Sequence, residues 1–64
     1  MNNIKALRLK ANLSQNDLAK SFGIRQSTVS MWELGESFPR ADKLPQLAKM
    51  LGCKIEDLLE RKSM

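Results

Sequence analysis

Apolar residues recur along the chain at steps of three and four, and three glycines interrupt that rhythm. Ile4, Leu7 and Ala11 share one face of a first helix over about residues 3–11, and Leu13 follows as a core residue. Ser14 and Asp17 have the three-residue spacing of a capping box, with Asp in place of Glu or Gln. A second helix therefore opens at Ser14 and turns Leu18, Ala19 and Phe22 inward. Gly23 and Ile24 leave room only for a very short turn before a third helix from Gln26 to Leu34, with Val29 and Trp32 on one side. After Gly35 comes the polar loop ESFPR; Asp42 is expected to cap a fourth helix carrying Leu44, Leu47, Ala48 and Leu51. Pro45 is tolerated there because it falls in the first turn. Gly52 ends that helix, and Ile55, Leu58 and Leu59 give a short fifth one. Gly23, Gly35 and Gly52 each stand where a helix commonly closes on a left-handed residue. The pattern predicts an all-α chain of five short helices in a single domain over residues 1–64.

Composition narrows the function. The 64 residues are 42% hydrophobic and 28% charged, too apolar for a disordered tail. No apolar run nears the roughly 18 residues of a membrane span. The start, MNNIKALRLK, lacks the apolar stretch of a signal peptide, so a cytoplasmic location and no membrane partner are expected. With one cysteine, Cys53, and no histidine, the chain offers no intrachain disulfide, zinc cluster or nucleophile–base pair. The expectation is no enzyme, no metal and no cofactor.

The net charge of +4 favours a polyanionic partner. Its excess lies in the first half, where Lys5, Arg8, Lys10, Lys20 and Arg25 face only Asp17 and Glu33.

The third helix carries the candidate chemistry. At about 100° per residue, with Gln26 at zero, Val29 and Trp32 fall near 300° and 240°, which sets the core direction near 270°. Ser27, Ser30 and Met31 fall near 100°, 40° and 140° and point away from it. A strip of small, uncharged side chains suits close approach to a DNA major groove. At the amino end of the helix, the Gln26 amide both donates and accepts, which is the pairing adenine offers through N6 and N7. The plain alternative is an exposed face without a partner, and Met31 taken singly is more often a packing residue. Arg25 opposes the helix dipole, a small cost that a phosphate partner would relieve.

The stretch SQNDLAKSFGIRQSTVSMWELG, with IKALRLKANL before it and KLPQLAKMLGCKIEDLL after it, resembles the lambda-repressor/Cro-like helix-turn-helix family, also called the XRE family. The features that carry the resemblance are Gln15 opening the second helix, small Ala19, Gly23 in the turn, Ile24 and Val29 in the core, and Glu33 before Gly35. It implies a compact five-helix DNA-binding domain with the motif over residues 14–34 and the recognition helix over 26–34. By matching position it implies base contacts from Gln26, Ser27, Ser30 and Met31. Phosphate contacts are implied for Gln15, which also braces Gln26, and Arg25, Thr28, Arg40 and Lys43 are taken as phosphate neighbours. Arg8 and Glu33 match positions that often pair between the first and third helices. Arg25 and Lys54 stand where the family usually has a Ser, Thr or Asp cap, so both helix starts are expected to be weaker.

The function implied is a sequence-specific transcriptional regulator, a homodimeric repressor on a palindromic operator in double-stranded DNA. An antitoxin that neutralises a partner toxin is the alternative. The segment from Arg61 to Met64 is expected to be too short to wrap such a partner. For Ile55, Leu58 and Leu59 two uses stay open, as core or as an apolar dimer contact beside Cys53. Glu56, Asp57 and Glu60 are expected to form a solvated acidic face.

Overall fold

A computed structural model describes residues 3–59, with helices α1 (Ile4–Lys10), α2 (Gln15–Phe22), α3 (Gln26–Leu34), α4 (Leu44–Leu51) and α5 (Ile55–Leu59). Among the described residues there is no strand. Leu59's side chain and the segment from Glu60 to Met64, including the expected acidic face's third member, lie outside the described residues.

The helices meet in one apolar core built from Ile4, Leu18, Ala19, Val29, Trp32, Leu47, Ala48, Leu51 and Leu58. The rings of Phe22 and Trp32 meet edge to face at 5.8 Å, which locks α2 against the inner side of α3. Leu58 is fully buried, and Ile55 and Cys53 are half-buried against the core. The core use of Ile55 and Leu58 is thus the one observed. Among the described residues the exposed large apolar side chains are Leu9, Met31, Leu34 and Phe38.

Two helix starts are fixed by side-chain hydrogen bonds. Ser14 Oγ accepts from Asp17 N at 2.9 Å, and Asp17 Oδ2 accepts from Ser14 N at 2.8 Å. Those hydrogen bonds from Ser14 hold the Asp17 carboxyl below its ordinary pKa. Ser14→Ala removes one half of this box and is expected to lower stability by about 1 kcal/mol, read as a lower urea midpoint at unchanged slope. At α5, Lys54 N donates to Asp57 Oδ2 at 3.0 Å, so the backbone half of a capping box is present although Lys54 itself brings no cap. Arg25 makes no side-chain cap at α3.

One boundary differs from expectation. Asp42 does not cap the fourth helix: it lies in a 3-10 turn over Ala41–Lys43, and α4 begins after Lys43. Had Asp42 been the cap, the third residue beyond it would be Pro45, which has no N–H to donate. The tight turn, with Lys43 N bonded to Arg40 O at 2.9 Å, takes its place. The end of α1, close to the expected Ala11, has no glycine. Asn12 adopts φ 62°, the left-handed region that Asn enters more readily than most residues, and it turns the chain towards α2.

Candidate functional site

α2 and α3 are joined by Gly23, Ile24 and Arg25, a connection this short because Gly23 takes φ 66° directly after Phe22. Across that turn runs a hydrogen-bonded chain of four side chains. Arg8, buried on α1, donates from Nε to Glu33 Oε2 at 2.6 Å and from Nη2 to Glu33 Oε1 at 3.2 Å. Its Nη1 donates to the carbonyl of Leu13 at 2.8 Å. The two charged side chains retain only 8% and 4% of their exposure. Gln15 Nε2 then donates to Glu33 Oε1 at 3.0 Å, and Gln26 Nε2 donates to Gln15 Oε1 at 3.3 Å. The chain begins in the interior and ends at the exposed amino end of α3.

Burial alone would raise the Glu33 pKa. The hydrogen bonds from Arg8 and Gln15, with the charges of Arg8 and Lys5, outweigh it and hold the carboxyl below its ordinary value. Glu33 is therefore ionised at neutral pH, and the pair is bidentate.

The outer face of α3 presents Gln26, Ser27 and Met31 to solvent. Ser30 is half-buried and not, as expected, exposed. It lies about 130° from the core direction, as the exposed Met31 does on the opposite side, so the two edges of the strip are unequally covered. Leu34 was not among the expected residues, yet it falls near 80° on the same wheel and is 64% exposed. It extends the strip by a further turn beyond Ser27 and Met31 with apolar surface. The wheel contained that signal. Phe38, in the loop after α3, is exposed as well as Met31 and Leu34.

The residues taken as phosphate neighbours are less uniform. Arg25 and Arg40 are exposed, and Arg40 has only a 4.0 Å contact with the equally exposed Asp42. Lys43 is half-buried, with Nζ 5.7 Å from the centre of the Phe22 ring. Gln15 and Thr28 are half-buried. The structure thus brings Arg8, Glu33, Gln15 and Gln26 into one network and leaves Arg25 and Arg40 outside it. Among the described residues no group of three or more His, Cys, Asp or Glu is placed to hold a metal ion. The Cys53 thiol is pushed up by burial and by the nearby Asp57 charge, away from nucleophilic character.

The sequence profile of the helix-turn-helix family matches residues 4–58. The chain is 39% identical over 57 residues to an uncharacterized HTH-type transcriptional regulator of Methanocaldococcus jannaschii, covering 89% of this chain and 86% of that protein. It is 40% identical over 55 residues to the antitoxin HigA1 of Mycobacterium tuberculosis, covering 86% and 37%. To the repressor protein C2 of Salmonella phage P22 it is 35% identical over 57 residues, covering 89% and 26%. No solved structure matches the chain significantly.

Proposed function

The chain belongs to the helix-turn-helix family, and from that premise we propose that it is a sequence-specific DNA-binding transcriptional regulator, acting as a homodimeric repressor on a palindromic operator. The observation that carries this reading is the Gln26 amide, held by Gln15 at the exposed amino end of α3 beside the small Ser27. A bare, uncharged strip with an oriented amide at its tip fits the major groove, where adenine presents one acceptor and one donor. In this reading Gln26, Ser27, Ser30 and Met31 meet base edges. Arg25, Thr28, Arg40, Lys43 and the amino end of α2 at Gln15 meet phosphates and set the register without carrying sequence information.

A single domain of this size makes too few contacts for tight specific binding. A two-fold dimer on half-sites about 34 Å apart doubles them. No described helix is long and apolar enough to cross a membrane, and a cytoplasmic location fits a DNA partner. The mechanism is occupancy of the operator, which needs no cofactor and no catalytic residue.

Selection of bound duplexes from a random pool, with affinities at two salt concentrations, tests the reading. A palindromic site is expected, and Gln26→Ala is expected to weaken it by about 1–3 kcal/mol at both salts. Enrichment of no site, with the variant binding like wild type, would leave only electrostatic attraction.

A second reading, as an antitoxin that binds a toxin and represses its own operon, is supported by the similarity to HigA1. It requires a stable complex with the product of a neighbouring toxin gene, which co-expression and size-exclusion chromatography would reveal.

A further inference from the structure

A lysine keeps its charged head in water and loses rotamer freedom when it is pinned, so a half-buried one has a local cause. At Lys43 that cause is the ring of Phe22, whose centre lies 5.7 Å from Nζ, within the range over which an aromatic face attracts an ammonium. The ring is itself held, because it meets Trp32 edge to face at 5.8 Å and Trp32 is only 4% exposed. At the other end of the side chain, the 3-10 turn fixes the backbone through Lys43 N bonded to Arg40 O at 2.9 Å.

The ring attracts the charge from one side and offers no oxygen to its N–H groups. Among the described residues no carboxylate pairs with Lys43, since Asp42, beside it in sequence, lies 4.0 Å from Arg40 Nε instead. Lys43 is therefore a cation with a settled position and hydrogens still to give. Arg25 and Arg40, by contrast, are exposed and must be gathered from many rotamers before they meet an anion.

We propose that Phe22 is a positioning residue that holds the Lys43 ammonium ready for a backbone phosphate of DNA. This role rests on the DNA-binding function above, with Lys43 among its phosphate contacts. The anionic oxygens of a phosphodiester accept from the side of the ammonium that the ring leaves open. Because the ordering of Lys43 is completed on folding, less of it remains to be lost on binding. The gain is the same for every sequence, as a phosphate contact carries no base information.

Affinities for the selected operator and for a random duplex, each at two salt concentrations, test this role. Lys43→Met is expected to weaken both duplexes alike and to reduce the slope of log affinity against log salt by about one. Replacing Phe22 by pentafluorophenylalanine keeps the ring but removes its negative face. Both affinities are then expected to fall about threefold with the slope unchanged, because the charge is still present. In a Lys43→Met background the fluorinated ring is expected to add no further loss. A ring that acted only by packing α2 against α3 would cost the same affinity with or without Lys43, and that result overturns the proposal. So does a fluorinated protein that binds both duplexes like wild type. If the fluorinated protein does not fold, Phe22→Leu in the two backgrounds decides by the same comparison. If wild type binds no duplex, the DNA-binding function falls and this role with it. If wild type selects an operator but Lys43→Met leaves the slope unchanged, this role alone falls.

Discussion

Arg8→Met is expected to cost about 3 kcal/mol or more, enough to leave the domain largely unfolded at room temperature. Methionine fills much of the same volume, so the loss is electrostatic. It strands the Glu33 carboxylate in a site that is 4% exposed and deprives the Leu13 carbonyl of its donor. Urea titration followed by circular dichroism reads the effect, and a midpoint within a few tenths molar of wild type would refute it.

Acid should narrow the gap, and the direction can be worked out. In wild type the Glu33 pKa lies below its ordinary value, so its contribution to stability is present above the unfolded-state pKa and is lost as pH falls through the folded one. Without Arg8 its hydrogen bond and charge no longer oppose burial, so the lowering is reduced and with it the stability that ionised Glu33 contributes near neutral pH. The difference between the two proteins is therefore largest near neutrality and shrinks below about pH 4.

Ser27→Glu is expected to abolish specific DNA binding, by a hundredfold or more, without harming the fold. Ser27 is exposed in the first turn of α3, where a carboxylate complements the helix dipole by a few tenths of a kcal/mol. In a groove the same charge is brought against base acceptors and flanking phosphates. The thermal midpoint should stay within a few degrees of wild type while fluorescence anisotropy shows the operator released. Unimpaired binding by Ser27→Glu would mean that this face of α3 does not meet DNA.

How far the sequence discloses the structure depends on how local each feature is. The box of Ser14 and Asp17 lies within four residues, and the glycine stops act at single positions, so spacing suffices to find them. Asn12 performs the same service at the end of α1, but Asn is common in loops and gives no comparable sign. Asp42 misleads for a visible reason: the three-residue reach of a cap ends on Pro45. Leu34 is legible as surface on the wheel, although leucine by itself suggests core. The bond from Gln15 to Glu33 is different in kind, since it requires α1, α2 and α3 to converge. Periodicity within one helix carries no information about which oxygen of Glu33 a residue 18 positions away will face.

The helices themselves are short: α3 has nine residues and α5 only five. Isolated segments below about 12–15 residues hardly persist as helices in water, so none of these elements has an existence apart from its neighbours. The outer face of α3 is consequently present only while the core around it is closed. Its slowest amide protons would exchange with solvent through the same opening that unfolds the whole domain. On the proposed function, occupancy of the DNA and survival of the protein become one equilibrium: bound duplex withdraws molecules from unfolding, and proteolysis falls preferentially on copies that have found no operator.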